Sequence, residues 1–461
     1  MRARTAALAS ALLAMFGLLA LVQAYWQIVA APAFVGVRYD QRAALRRQLV
    51  RPGAVRAAAG ETVLTPVKPN GGWVYRYEYP EAFSQLTGYN ESTGLQATLQ
   101  EALLAEGGYS SWRDRLVNAR PRGCDVELSL ETRLQEEAAR LWGKSAGCAL
   151  VIRVSDGALL AAASLPGYDP VAAASDPASL EISMTDPAEP MRFRPIQKLY
   201  RPGWGMAWVT AAAALDTGDA GLLRGLTCGG GWKAGRKTYH CTAAHGALSL
   251  REALHQGCTV AIQQLADRVG AERYRGFIKR THLLDQASIY LPGEAGRMPD
   301  LFDWRAGENL AETAVGQGVV EVTPLALARF FLGVARGGQV VQPYLVSRIL
   351  RPDGRVCLRG EAKALGEGSS EGVAKEIGDS MAEAAEALRG DTFAGENSAA
   401  VSWWVPAGGN RLDGEAWLVA MAPWPGPDLL VACVVEGATD ASVAVETGLS
   451  LLNYARGSRV H

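Results

Sequence analysis

The chain has 461 residues, of which 49% are hydrophobic and 20% are charged, with 46 basic and 47 acidic side chains and a net charge of -1. This composition can build a sizeable core and excludes a wholly disordered or low-complexity chain. The totals show no basic excess of the kind that nucleic-acid binding requires, so we expect no nucleic-acid partner. The 7 cysteines are too few for a small disulfide scaffold, and their odd number leaves at least one unpaired.

The first segment is an uncharged run behind two arginines. Arg2 and Arg4 precede a stretch without charge that lasts until Arg38, and its most apolar part is residues 6–28. As a helix rising about 1.5 Å per residue, this part spans a hydrocarbon core of roughly 30 Å. Basic residues before the run and none soon after it favour a cytoplasmic N-terminus. The sequence therefore predicts a cytoplasmic tail at residues 1–5, a single transmembrane anchor in the cell membrane at residues 6–28 and an extracytoplasmic bulk.

Two other interpretations of this segment stay open. Val22-Gln23-Ala24 has the small residues of a signal-peptide cleavage site, although the apolar run continues past it and is long for a signal peptide. The run could also be a buried core helix, which the basic residues at the extreme N-terminus disfavour. No second uncharged apolar run reaches about 18 residues, so a single membrane pass is predicted.

The remaining chain divides by pattern into two parts. Residues 29–120 are mixed in character and are predicted to form a small membrane-proximal pedestal domain. Residues 121–461 form the second domain, whose patterns predict strands at 125–130, 148–154, 158–165, 416–422 and 429–436. Helical spacing predicts helices at 131–142, 209–215, 250–269, 323–335 and 441–454, and residues 360–372 are a polar loop. Strands at both ends with helices between them predict an α/β (α+β) domain whose sheet is built from both ends.

Four segments of the second domain resemble one known family. Residues 149–170 (ALVIRVSDGALLAAASLPGYDP) are similar to its first hairpin, and residues 228–269 are similar to its cysteine-containing loop and the helix after it. Gly316-Gln317-Gly318, followed by Val322-Thr323-Pro324-Leu325, is a close match to its GQG and TP segment, and residues 416–436 are similar to its last two strands. The chain resembles the class B penicillin-binding proteins, which are membrane-anchored peptidoglycan D,D-transpeptidases.

The resemblance implies a fold and partners. The fold is a penicillin-binding-protein/β-lactamase-like transpeptidase domain, an antiparallel sheet flanked by helices, above a small pedestal. The partner that the family implies is a membrane glycosyltransferase of the shape, elongation, division and sporulation type, and peptidoglycan is a second candidate partner. The family's chemistry uses no cofactor.

The resemblance also places three catalytic motifs, and this sequence departs from each. After the lead-in Tyr200-Arg201-Pro202-Gly203, Trp204 takes the place of the serine of Ser-x-x-Lys and Ala207 takes the place of its lysine. The Ser-x-Asn motif is replaced by Gly257, Cys258 and Thr259. The Lys-Thr-Gly motif is replaced by Glu396, Asn397 and Ser398, which puts a negative charge where the family has a positive one.

These departures predict a pseudoenzyme. An indole cannot accept an acyl group, an alanine cannot take a proton, and Glu396 would repel a substrate carboxylate. We therefore expect a non-catalytic partner or regulator of a glycosyltransferase in cell-wall synthesis. The alternatives are an active, penicillin-binding transpeptidase with atypical residues, such as Cys258 activated by His255, and a sensor that binds muropeptide without turnover.

A cysteine- and histidine-containing segment precedes the second motif. Cys228 and Cys241 flank a glycine-rich stretch, and His240 and His245 lie close by in the sequence. Outside the cytoplasm a Cys228–Cys241 disulfide would pin this loop. A zinc site formed by Cys228, His240, Cys241 and His245 is the alternative, and free thiols are the third.

Overall fold

The computed structural model describes residues 2–26, 49–69, 71–105, 122–299, 308–386, 400–404, 414–438 and 440–457. Its strands, in chain order, are β1 (Val55–Arg56), β2 (Thr62–Val67), β3 (Val74–Tyr77), β4 (Asp125–Leu128), β5 (Gly147–Arg153), β6 (Leu159–Leu165), β7 (Leu226–Cys228), β8 (Gly231–Ala234), β9 (Lys237–His240), β10 (Gly246–Leu248), β11 (Gln339–Gln342), β12 (Val346–Leu350), β13 (Val356–Arg359), β14 (Lys363–Glu367), β15 (Ala400–Trp404), β16 (Glu415–Ala422) and β17 (Leu429–Glu436).

The helices follow the same order. They are α1 (Arg2–Ala24), α2 (Pro80–Thr87), α3 (Gly94–Thr98), α4 (Gln100–Leu103), α5 (Thr132–Trp142), α6 (Pro170–Ser175), α7 (Pro177–Thr185), α8 (Arg194–Gln197), α9 (Gly205–Asp216), α10 (Leu250–His255), α11 (Thr259–Val269), α12 (Ala271–Arg280), α13 (Glu308–Ala314), α14 (Pro324–Ala335), α15 (Glu371–Glu386) and α16 (Ser442–Gly457).

A five-stranded antiparallel sheet organises the larger domain. Its order is β15-β16-β17-β5-β6, so the C-terminal hairpin pairs with the first hairpin through β17 and β5. Val431 lies opposite Val151 at this junction, and Leu150 lies opposite Ala162 in the first hairpin. The sheet is thus built from both ends of the domain, which confirms the predicted arrangement.

Helices cover both faces of this sheet. Helices α5 and α16 pack on one face, and α8 and α14 pack on the other. Along β5, Ala149 and Val151 belong to the core on the side of α5 and α16, whereas Leu150 and Ile152 belong to the core on the side of α8 and α14. Successive side chains of a strand point to opposite faces, so a strand buried on both sides reads as one continuous apolar run.

A second sheet of six strands builds the pedestal region. Its order is β13-β12-β4-β1-β2-β3, which combines the early strands with two that follow α14. Strands β1 and β4 run parallel, and Gly53 before β1 lies so close to the Cys124 carbonyl oxygen that a Cβ would be 1.7 Å from it. A glycine is therefore required where the two segments meet.

Two sequence predictions differ from the structure. The single helix predicted over residues 250–269 is two helices, because Gly257 adopts φ +64, a left-handed conformation that ends α10. Residues 360–372 were expected to be a loop, yet β14 lies there and pairs with β11, so pairing across the fold overrides the weak local pattern.

The N-terminal helix α1 presents apolar side chains to its surroundings. Large side chains from Leu12 to Val22 are exposed along it, with Leu13 at 73%. Among the helices that the structure describes, none meets the length and apolarity needed to cross a membrane.

Candidate functional site

The lead-in to α9 is held by the segment that precedes α14. The backbone N–H groups of Tyr200 and Val322 each donate to the other residue's carbonyl oxygen, at 2.9 Å in both cases. Gly316 has φ +68, and a Cβ there would lie 2.1 Å from the Gly203 carbonyl oxygen. Tight backbone packing therefore places the residue after Gly203 at the start of α9.

Trp204 occupies this helix start. It is half-buried, packs against the main core and has helical backbone angles of φ -60 and ψ -15. Ala207 follows one turn later, is fully buried, and donates its backbone N–H to the Trp204 carbonyl oxygen at 3.0 Å. Neither side chain carries a nucleophile or a base.

The residues predicted to stand at the second motif position lie in the turn between α10 and α11. Gly257 forms the turn, Cys258 precedes the first residue of α11, and Thr259 begins that helix; α9 contacts both helices. Cys258 is fully buried, and burial raises the pKa of its thiol to about 12. His255 Nε2 lies 2.8 Å from the carbonyl oxygen of Ser380 on α15. The geometry therefore does not support activation of Cys258 by His255.

The third motif position was predicted at residues 396–398. Glu396, Asn397 and Ser398 lie outside the described residues. The strand that follows them, β15, is described and pairs with β16 at the edge of the five-stranded sheet. Helix α15 contacts this edge strand.

A carboxylate network anchors the lead-in to the end of the same sheet. Glu436 accepts hydrogen bonds from Arg194 Nε at 2.8 Å, from the Tyr200 hydroxyl at 2.7 Å and from Lys198 Nζ at 3.1 Å. Burial opposes ionisation of Glu436, but these partners outweigh it and lower its pKa. The sequence carried no signal for this network, since Arg194 and Glu436 are 242 residues apart.

Glu415 lies opposite Glu436 in the β16–β17 pairing. One oxygen of its carboxylate accepts the backbone N–H of Arg201 at 3.2 Å, which ties the lead-in to β16. Burial raises the pKa of Glu415 to about 7, although the Arg201 hydrogen bond opposes the shift.

This raised pKa predicts a pH-dependent stability. A carboxyl group whose pKa is higher in the folded state takes up a proton on folding, so its contribution is full below about pH 4.5 and is lost as pH rises through about 7. We expect wild type to lose about 3 kcal/mol, relative to Glu415→Gln, between about pH 4.5 and pH 8. Urea unfolding of both proteins across this range measures the difference. The exposed Glu446→Gln is the control, and a wild-type curve parallel to that of Glu415→Gln would contradict the prediction.

Four sulfur and nitrogen ligand atoms converge beside the second motif position. Those of Cys228, Cys241, His245 and Cys258 all lie within 4.8 Å of one another. All 7 cysteines are free thiols, so Cys228 and Cys241 are adjacent but are not joined. His240, part of the zinc set considered from sequence, is exposed on β9 and is not in this group; Cys258 replaces it. The sequence did not identify Cys258 as a member of this group, because Cys258 was assigned only to the second catalytic motif.

One thiol of this group is predisposed to ionise. Burial opposes ionisation of Cys241, but hydrogen bonds from the Thr259 hydroxyl and the Val260 backbone N–H outweigh it and lower its pKa to about 6. The Thr259 Oγ1 lies 3.7 Å from Cys241 Sγ. The start of α11 therefore stabilises a thiolate at this position.

Known proteins are similar to this chain in sequence and fold. Peptidoglycan D,D-transpeptidase PbpA of Mycobacterium tuberculosis (strain CDC 1551 / Oshkosh) is 26% identical over 452 residues, which cover 88% of each chain. Penicillin-binding protein A from M. tuberculosis has been solved as imipenem and penicillin G acyl-enzyme complexes, with TM-scores of 0.80 and 0.78. Both are 25% identical and cover 89% and 88% of this chain, and 100% and 99% of the solved chains.

The family model gives the assignment. The model "Penicillin binding protein transpeptidase domain" matches residues 147–450, a span that begins with β5 and ends in α16. It includes the whole five-stranded sheet together with the helix start at Trp204 and the turn at Gly257. This chain therefore belongs to the penicillin-binding protein transpeptidase family.

Proposed function

We propose that this chain is a non-catalytic member of its family, which acts in peptidoglycan synthesis as a partner or regulator of a membrane glycosyltransferase. The observation that carries the proposal is the pair Trp204 and Ala207 at the start of α9. The surrounding framework is intact, since Gly203 is packed against Gly316 and Tyr200 is paired with Val322. The backbone around the helix start is thus retained, although the nucleophile and the base are missing. This combination supports a role in which the protein binds a partner and catalyses no reaction.

The other motif positions support the same proposal. Cys258, the one thiol at the second position, is buried and protonated at neutral pH because burial raises its pKa to about 12. At the third position the sequence has Glu396, and a carboxylate there would repel the carboxylate of a peptidoglycan stem peptide or of a β-lactam.

We further propose that the protein is anchored in the cell membrane by its N-terminal segment, with its bulk outside the cytoplasm. Arg2 and Arg4 precede the apolar run, which fits a cytoplasmic N-terminus. The exposed apolar side chains of α1, from Leu12 to Val22, have no covering layer among the described residues and fit a lipid surface.

The pedestal offers a candidate surface for the partner. A cavity of about 460 Å³ lies between the pedestal sheet, α3, α4 and α6. Its walls are rich in aromatic and apolar side chains, among them Trp73, Tyr77, Tyr89 and Leu104. Arg51 and Lys68 lie against the Trp73 ring, at 5.8 and 5.5 Å from its centroid. An aromatic anchor with a basic rim is typical of a protein-binding surface, and we propose an apolar segment of the glycosyltransferase as its occupant.

Co-purification tests this role. The tagged full-length chain, extracted from membranes of its host, is expected to bring down a polytopic glycosyltransferase that mass spectrometry identifies. Trp73→Ala should lower its recovery at least about tenfold, because truncating an aromatic anchor removes a large share of binding energy. Trp232→Ala, which removes a half-buried tryptophan of β8 far from the pedestal in the chain, is the control. Equal recovery with Trp73→Ala, or no glycosyltransferase with wild type, would contradict the proposal.

A further inference from the structure

We propose that Cys228, Cys241, His245 and Cys258 bind one zinc ion, which fastens residues 226–248, the ribbon region, to the start of α11. The proposal is independent of the residues at the start of α9, Trp204 and Ala207, because none of the four ligands comes from that helix.

The distances between the ligand atoms match a tetrahedral site. Zinc–sulfur bonds of about 2.3 Å and zinc–nitrogen bonds of about 2.0 Å place two sulfurs about 3.8 Å apart and a sulfur and a nitrogen about 3.5 Å apart. In the structure, Sγ of Cys241 lies 3.9 Å from Sγ of Cys258 and 3.5 Å from Nδ1 of His245. All four ligand atoms fall within 4.8 Å of one another, so little movement would close them around an ion.

The local fold delivers the ligands from separate elements. Cys228 ends β7 and lies opposite Gly246 of β10, so His245 is held beside it. Cys241 directly follows β9, and its backbone N–H donates to the Gly230 carbonyl oxygen at 3.0 Å. Cys258 comes from the turn between α10 and α11. Two short ribbons thus supply three ligands, and the helical core supplies the fourth.

The ribbon region needs such a fastening. Each of its ribbons has two strands of three or four residues, and a two-stranded ribbon is marginally stable by itself in water. The β8–β9 ribbon buries a small apolar cluster, Ala234 and Tyr239 with Ala311, and most of its other residues are exposed or half-buried. In the β7–β10 ribbon, Leu226 and Leu248 reach the core beside α11, and a metal ion that joins both ribbons to this helix would add to that small apolar contact.

The number and type of the ligands favour zinc over other metals and favour a structural over a catalytic site. Three thiolates and an imidazole are soft and intermediate ligands that favour zinc in a tetrahedral site, and four protein ligands leave no open position for substrate or water. Binding forms three Zn–S bonds and one Zn–N bond, and any of the three thiols that is still protonated releases its proton to solvent. The imidazole binds in its neutral form through Nδ1. Thr259 Oγ1, which lies 3.7 Å from Cys241 Sγ, would orient that ligand.

Metal analysis of the purified full-length chain tests the proposal. We expect about one zinc per chain by inductively coupled plasma mass spectrometry, as a closed four-ligand site predicts. Cobalt(II) added after chelation should give the strong visible bands of tetrahedral thiolate coordination. Cys258→Ser should lower zinc affinity by more than about 100-fold, because it removes a direct ligand rather than an outer-shell partner.

Two matched variants keep the result decisive. His240→Ala removes the exposed neighbouring histidine, and Cys357→Ser removes a half-buried cysteine elsewhere; both should retain full zinc. If a ligand variant does not fold, chelation of wild type should lower its thermal midpoint, and added zinc should restore it. The proposal is overturned if His240→Ala loses its zinc while Cys258→Ser keeps it. It is also overturned if the purified chain contains iron in place of zinc, or if the chain contains no metal and has a Cys228–Cys241 disulfide.

Discussion

Incubation of the purified chain with benzylpenicillin is expected to leave its mass unchanged. Acylation needs a hydroxyl or thiolate nucleophile, and a base close enough to take its proton. At the start of α9 the chain has Trp204 and Ala207, which provide neither, and the indole adds bulk where the β-lactam ring would lie. Loss of the nucleophile alone lowers turnover in a serine hydrolase by roughly 10⁶-fold. Acylation should therefore be undetectable on the timescale of an ordinary labelling experiment.

Intact-mass spectrometry with matched controls makes this result informative. Penicillin-binding protein A from M. tuberculosis, for which a penicillin G acyl-enzyme complex is known, is the positive control under the same conditions. A covalent adduct on this chain would contradict the pseudoenzyme proposal and would favour an atypical active transpeptidase. If the adduct disappeared in Cys258→Ser, the thiol would be the nucleophile despite its burial.

Arg194→Ala is expected to lower the free energy of unfolding by about 3–5 kcal/mol, as the loss of one member of a buried ion pair does. The Arg194 side chain has 0% exposure and pairs with Glu436 at 2.8 Å, while its other nitrogens donate to the carbonyl oxygens of Ala188 and Glu189. Removal of the guanidinium leaves the Glu436 carboxylate with Lys198 and Tyr200 only, and leaves two carbonyls without this donor. The same change opens a cavity beside the sheet.

Urea unfolding of the full-length chain, followed by circular dichroism, measures this loss. Arg140→Ala is the control, because the Arg140 side chain is 68% exposed in its pair with Glu137, and a solvent-exposed ion pair contributes little to stability. Equal destabilisation by the two variants would show that the Arg194 network does not stabilise the sheet. A loss confined to Arg194→Ala would support it as the tie between the lead-in and β17.

The sequence predictions that agree best with the structure are those for segments whose secondary structure is set by the residues of the segment itself. The strand ends of both hairpins were all predicted within one residue, because a buried strand needs a continuous apolar run and a hairpin needs a turn between two such runs. Helix α14 was predicted from its own helical spacing, and the structure shows how it begins: the Thr323 hydroxyl accepts the Ala326 backbone N–H at 3.3 Å, and Pro324 is its first residue.

Predictions from the local sequence pattern were wrong where the secondary structure depends on one backbone angle or on a strand partner far away in the chain. Residues 250–269 have helical spacing throughout, yet the φ of Gly257 divides them, and that division places Cys258 at a helix start, against the ribbon region. Strand β14 has few apolar residues and forms because β11 pairs with it. Neither the left-handed glycine nor the strand partner can be derived from periodicity, since both depend on the surrounding fold.

The sequence by itself determined the fold class and the family, because these follow from the order and identity of residues along the chain. Only the tertiary structure decided which side chains meet. Cys258 lies beside Cys228, Cys241 and His245, whereas His240 lies outside this group. Glu436 contacts Arg194, which is 242 residues away in the sequence. A contact between distant segments is made by the packing of whole helices and strands, and the spacing of two residues in the chain carries no information about it.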